Sequence, residues 1–284
     1  MTTKEDKKNG LLSHDVMIMN FSGVYDMESL PHGNKYKWVN CRHLSGTDCY
    51  CDEDGKKALQ EIISHYPVNG IHFIDSGNYH YVTKFWTDRI DQPFVLIVFD
   101  HHPDMQPSLF ENILSCGSWV KDILDSNANC RKVIIVGASD KLISSVPHGY
   151  EGKVHFYSDN DLNHEESWKN FSKEHISDPV YISIDKDVLS PEYAVTNWDQ
   201  GSMSLEELEK LLHIIIQQHA VLGIDVCGEF QPASNMVENM NFPIRHFLSQ
   251  QLIKGFGMTT MNKMTKLMQN NIFRYHHTVM SARS

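Results

Sequence analysis

The chain has 284 residues, of which 41% are hydrophobic and 21% charged, and its formal net charge is -11. That length allows one large domain or two ordinary ones, and the composition is that of a globular protein. There is no apolar run of about 18 residues to make a membrane helix, and the acidic balance disfavours nucleic acid or an anionic membrane as partner and favours a cationic or neutral small molecule.

Met1–Gly10 is polar and charged and lacks the apolar core of a secretory signal, which predicts a cytoplasmic protein. Val16–Met19 reads as a strand. Gly55–His65 has helical spacing, closed by Pro67 and the Asn69-Gly70 turn. Ile71–Ile74 is a second strand, and the continuous apolar run Phe94–Phe99 suits a parallel strand buried on both faces. Leu109–Leu124 has helical spacing, weakened at Gly117. Val133–Val136, Val154–Tyr157, Val180–Ile184 and Val221–Val226 supply further strands, with helices near Glu165–His175 and Leu205–Gln217. Ser204 followed by Glu207 is a capping box for the last of these.

Strands alternating with helices predict crossover connections. The expected fold is therefore a three-layer α/β architecture, with a mostly parallel central sheet flanked by helices. No linker-like stretch or internal repeat divides the chain, so residues 1–257 read as one domain. Met258–Ser284 differs in being rich in methionine and polar residues, and reads as a C-terminal helix or tail. The six cysteines include no C-x-x-C pair and read as reduced thiols.

Open parallel sheets bind ligands beyond the carboxyl ends of their strands. Three predicted strand ends carry acids and histidines together: Asp75 to His80, Asp100 to Asp104, and Asp185 to Asp187. So many carboxylates in one cleft would repel one another, and metal cations are the simplest compensation. In extended backbone, residues two apart face one side, so Asp100, His102 and Asp104 share a face, as do Asp185 and Asp187, with Lys186 turned away. With His80 that makes four carboxylates and two imidazoles. The set lacks thiolate and suits hard or borderline ions, manganese first, with other divalent ions such as iron, cobalt or nickel as alternatives. Six ligands for two ions require shared carboxylates, which would hold the ions about 3.5–4 Å apart around an acidified water.

Asp100-His101-His102-Pro103-Asp104 resembles the D-A-H-x-D motif of the arginase, agmatinase and formiminoglutamase family. Ser183 to Pro191 resembles its S-x-D-x-D-x-x-D-P motif, with Ser190 in place of the last aspartate. Ser76-Gly77-Asn78-Tyr79-His80 is similar to a diverged G-G-D-H-S, and Asp225 to Pro232 to the late D-x-x-E-V-x-P strand with one extra residue. The resemblance spans residues 70 to 232. It implies two Mn2+ ions per chain: Asp100 and Asp185 bridge, His80 and Asp104 complete one ion, and His102 and Asp187 the other. Asp104 would also accept a hydrogen bond from the attacking water, and Glu229 would receive the substrate's guanidinium. Attack on the guanidino (or formimino) carbon would release urea or formamide. Ser115-Cys116-Gly117-Ser118 matches a segment in which the family carries histidine at the place of Cys116. The resemblance therefore puts Cys116 on the path of the leaving-group proton. A thiol there predicts either a slow enzyme with an alkaline optimum or a substrate whose leaving group needs less protonation. The resemblance also implies a homo-oligomer, a trimer or hexamer.

Two other readings use the same residues. A deacetylase-like hydrolase would need one metal held by Asp100, His102 and Asp185. A metal-stabilised binding module that has lost activity would be expected to have lost ligands, yet all six positions are filled.

Overall fold

The computed structural model of the chain describes residues 16–27, 36–108, 113–163 and 176–231. In chain order its strands are β1 Val16–Asn20, β2 Tyr36–Asn40, β3 Tyr50–Cys51, β4 Ile71–Phe73, β5 Phe94–Phe99, β6 Leu114–Ser115, β7 Cys130–Val136, β8 Val154–Tyr157, β9 Val180–Asp185 and β10 Val221–Cys227. Its helices are α1 Val24–Met27, α2 Glu53–Ser64, α3 Val82–Thr87, α4 Trp119–Ser126, α5 Asp140–Ile143 and α6 Leu205–Gln218.

Eight strands form one sheet in the order β2-β1-β4-β10-β9-β5-β7-β8, and every pairing in it is parallel. All six residues of β5 and all six of β9 are buried, as a strand covered on both faces must be. One face packs on α6, which buries Leu208, Leu211, Leu212, Ile215 and Ile216. The other packs on Leu59 and Ile63 of α2, Phe85 and Trp86 of α3, and Trp119 and Ile123 of α4. This is the three-layer α/β architecture expected from the sequence.

Local chemistry sets the helix ends. Asp52 caps α2 by accepting the Gly55 amide at 2.8 Å. Ser204 and Glu207 form the expected reciprocal capping box, with the Ser204 amide donating to Glu207 Oε2 at 2.8 Å. Among the described residues no helix is long and apolar enough to cross a membrane.

The helix expected over Leu109–Leu124 is shorter than its spacing suggested. Leu114–Ser115 instead pairs antiparallel with Tyr50–Cys51, and the helix starts at Trp119, after Gly117 and Ser118 have turned the chain. Residues 109–112, the helix expected over Glu165–His175, Pro232 and the tail Met258–Ser284 lie outside the described residues. The sheet order makes β4, β10, β9 and β5 consecutive neighbours. Because they are parallel, their carboxyl ends, and the polar segments that follow them, open on one edge.

Candidate metal centre

His80 enters this edge from the short 3-10 turn Gly77–Tyr79 that follows β4. The turn is anchored by Asp75, whose left-handed φ of 61° points its carboxylate back to accept the amides of Phe21, Ser22 and Ser76 at 2.8 Å each. Glycine is needed at position 77, since a Cβ there would stand 2.8 Å from Asp185 Oδ2. His80 Nε2 pairs with Ser183 Oγ at 2.8 Å, which leaves Nδ1 facing the acids. Nδ1 lies 3.0 Å from Asp100 Oδ2, 3.2 Å from Asp104 Oδ2 and 3.6 Å from Asp185 Oδ2.

The loop after β5 is not extended. The His102 amide donates back to Asp100 Oδ1 at 2.6 Å, and Asp104 takes a left-handed φ of 51°. Both carboxylates still reach the centre, because Trp119 Nε1 donates to Asp104 Oδ2 at 2.5 Å and fixes its direction. His102 Nδ1 lies 2.9 Å from Asp187 Oδ2 and 3.4 Å from Asp100 Oδ1. His101 donates its amide to Asp187 Oδ1 at 3.1 Å, and its ring does not line the cavity. After β9 the chain likewise turns, with the Asp187 amide donating to Asp185 Oδ1 at 3.0 Å. The expected faces therefore arise from tight turns in which side chains cap backbone amides, not from strand alternation.

The six expected ligands thus meet at one place. His80, Asp100 and Asp104 form one donor group, and Asp100, His102 and Asp187 a second. Asp100 belongs to both, one oxygen facing each imidazole. A third group joins His80 and Asp185 to Cys227.

The donor chemistry fits cations. His80 Nδ1 is buried and makes no hydrogen bond of acceptable geometry. Burial, reinforced by the Asp100 charge, pushes Asp104 up to about 7 and raises Asp185 and Asp187 as well. Burial also works against ionising Asp100, but the neighbouring imidazoles of His102 and His80 outweigh it and hold that carboxyl below the usual range. Burial opposes charge on the two imidazoles, yet their partners win. Asp100 and Asp187 raise His102 to about 12, and Cys227, Asp100 and Asp104 raise His80 well above its ordinary value. Without metal, shared protons do the work that divalent ions would do.

Two expected catalytic residues stand differently. Glu229 follows β10, is 5% exposed, and is ion-paired with the buried ammonium of Lys186. It does not line the cavity, and its charge is met by Lys186, so a guanidinium reaching Glu229 would have to compete with that ion pair. Lys186 is indeed turned away from the cleft, toward Glu229. Cys116 lines the cavity, and its amide donates to Cys49 O at 2.9 Å. Its thiol is hydrogen-bonded to the Cys49 thiol, which, together with burial, raises the Cys116 pKa far above the ordinary thiol value.

Ser183 and Trp119 act here by orienting His80 and Asp104. Ser183 was legible as the residue two before Asp185 on the same strand face; Trp119 gave no signal beyond its place after Ser118. Cys227, read as an ordinary thiol, sits against Asp185. Beneath the centre, Asp225 Oδ1 accepts Tyr181 Oη at 2.8 Å and pairs with His72 Nδ1 at 2.7 Å, tying three neighbouring strands together.

A model of the arginase family matches residues 68–242. An uncharacterised protein of Thermotoga maritima is 31% identical over 221 residues, covering 76% of this chain and 80% of that one. Proclavaminate amidino hydrolase from Streptomyces clavuligerus superimposes with a TM-score of 0.62 at 14% identity, over 91% of this chain and 92% of its own. A variant of formiminoglutamase from Trypanosoma cruzi, in a structure with Mn2+, gives 0.59 at 11% identity, over 88% and 96%. Agmatine ureohydrolase of Thermoplasma volcanium gives 0.57 at 13%, over 96% and 100%. At those identities the structural likeness is one of fold.

Proposed function

The chain belongs to the arginase family, and from that premise we propose that it is a two-metal hydrolase that cleaves a guanidino or formimino C–N bond of a small substrate, with manganese as the resident ion. The observation that carries this reading is the pair of donor groups sharing Asp100: Oδ2 faces His80 Nδ1 at 3.0 Å and Oδ1 faces His102 Nδ1 at 3.4 Å. A single-metal deacetylase-like site needs only Asp100, His102 and a second aspartate. It leaves His80 and Asp104 against the other oxygen of Asp100 without a role.

Two divalent ions held there would polarise the amidine carbon and lower the pKa of a water enough for it to attack. The protein's own groups do the rest. Ser183 orients the His80 ring by engaging Nε2, and Trp119 holds Asp104 through Oδ2. We assign Asp104 Oδ1 to take the proton of the attacking water and pass it to the leaving nitrogen. Among the described residues lining the cavity, the four aspartates are the only carboxylates, and Tyr50 and Trp198 present aromatic rings at its mouth. A guanidinium would meet those ring faces rather than Glu229.

The test is a screen of the manganese-loaded chain for urea or formamide release across guanidino and formimino compounds. Release from one class names the reaction. A fully loaded chain that releases neither product from any of them would leave the binding-module reading. The family resemblance also leads us to propose a trimer or hexamer, which sedimentation would show.

A further inference from the structure

We propose that Cys227 is a ligand of this centre, so that one ion is held partly by a thiolate and the site also accepts softer ions such as zinc or cobalt. The inference rests on the two-metal reading and changes what that reading says about the metal.

Cys227 is the last residue of β10 and pairs in register with Asp185 at the end of β9. Paired residues of neighbouring parallel strands project to the same side of a sheet. The thiol, 1% exposed, donates to Asp185 Oδ2 at 3.1 Å. That same oxygen lies 3.6 Å from His80 Nδ1. The ligand atoms of His80, Asp185 and Cys227 all lie within 4.8 Å of one another, so one ion can touch all three. His80 Nδ1, which is buried, faces Asp185 Oδ2 as well as the oxygens of Asp100 and Asp104, so it stands where this group and the first donor group meet. Cys227 closes the edge of the buried apolar cluster, and its thiol is turned from that cluster to a carboxylate and an imidazole.

The chain after Cys227 is shaped for close approach. Gly228 has a left-handed φ of 93°, and a Cβ on it would collide with Asp185 Oδ1. The extra residue in this late motif is therefore the turn that ends β10 against Asp185.

Thiolate widens the range of ions the site accepts. Carboxylate and imidazole alone suit manganese, whereas a sulfur ligand favours zinc and other softer ions. As the Sγ–metal bond forms, the thiol proton leaves to solvent, and the ion gains one more anionic ligand.

The experiment is X-ray absorption at the zinc edge on the full chain loaded with zinc alone. The expected result is a sulfur shell at about 2.3 Å beside nitrogen and oxygen at about 2.0–2.2 Å. That shell should be lost in Cys227→Ser and retained when Cys49 and Cys116, the two thiols at the cavity wall, are both changed to Ser. If Cys227→Ser does not fold, the Cys49→Ser/Cys116→Ser chain decides alone, since loss of its sulfur shell would assign the sulfur elsewhere. Zinc bound through nitrogen and oxygen only overturns the thiolate while leaving the metal centre standing. A chain that binds no zinc and no manganese overturns the centre itself and this inference with it.

Discussion

Lys186 and Glu229 form an ion pair in the interior, with side chains only 8% and 6% exposed. Lys186 lies between Asp185, the last residue of β9, and Asp187, and Glu229 lies two residues past the end of β10, so the pair ties together the ends of two strands that carry the centre. Removing one member of a buried pair leaves an uncompensated charge and costs about 3–5 kcal/mol. Glu229→Gln and Lys186→Met should each destabilise the fold by that amount in denaturant titrations. The double variant should recover most of the loss, because no charge is left stranded. A Glu229→Gln chain of unchanged stability but lost turnover would return Glu229 to substrate binding.

The sharing of Asp100 predicts metal stoichiometry. In manganese-loaded protein, His102→Ala should lose the ion of the His102 and Asp187 group and keep the other, and His80→Ala should do the reverse. Asp100→Ala should lose both, since each group contains it. Elemental analysis of the three variants reads this directly. Equal loss from all three would mean that the two groups are not separate sites.

Metal and protons compete for the same atoms, which gives stability a pH dependence. In the metal-free chain Asp104 is raised to about 7 and His102 to about 12. A group raised on folding favours the folded state below its unfolded pKa, and that benefit is lost as pH climbs through the folded value. Asp104 therefore stabilises fully below about pH 4 and no longer above about pH 7, and His102 stabilises fully below about pH 6.5, with loss continuing toward pH 12. The Asp104 slope runs downward up to about pH 7 and the His102 slope from about pH 6.5 upward, so between them stability declines from about pH 5 to about pH 9, and the raised Asp185, Asp187 and His80 act in the same direction. The melting temperature of chelator-treated protein should fall across that interval. The increase on adding manganese should be larger at the alkaline end. An increase of equal size at every pH would separate metal binding from these protons.

Much of this centre was legible in the sequence, because strands buried on both faces read as unbroken apolar runs and their polar ends stand out. Phe94–Phe99 showed itself in this way, and Val180–Ile184 was legible despite Ser183 within it, and with them Asp100, Asp185 and Asp187. Other elements carried no such pattern. α3 buries five of its six residues, so Val82–Thr87 has no polar face to set a helical period. The β3–β6 ribbon joins two-residue strands more than sixty positions apart, too short for alternation to register. Glu229 reads as a substrate contact and Lys186 as a charge turned away from the cleft, and their pairing is hidden because a contact between two strand ends is a property of strand order. Cys227 read as an ordinary thiol just past the strand Val221–Val226, and its nearness to Asp185 follows from the place of β10 beside β9.

Cys116 stands at the cavity wall where the family resemblance led us to expect a proton-carrying histidine. Its amide is bonded to Cys49 O, and the two thiols share a hydrogen bond that lowers the Cys49 pKa and raises that of Cys116. Burial and the charge of Asp104 raise Cys116 further. A group that stays protonated through the neutral and mildly alkaline range cannot alternate between acid and base during turnover. Cys116→Ala should therefore leave the shape of the pH–rate profile unchanged, whatever it does to the height. Cys116→His introduces an imidazole, which titrates near 6.5 when unperturbed, and should add a new limb to the profile near neutral pH. Both profiles can be measured on whichever substrate the screen yields. Disappearance of a limb in Cys116→Ala would put the thiol back on the proton path and would require the Cys49 hydrogen bond to break during turnover.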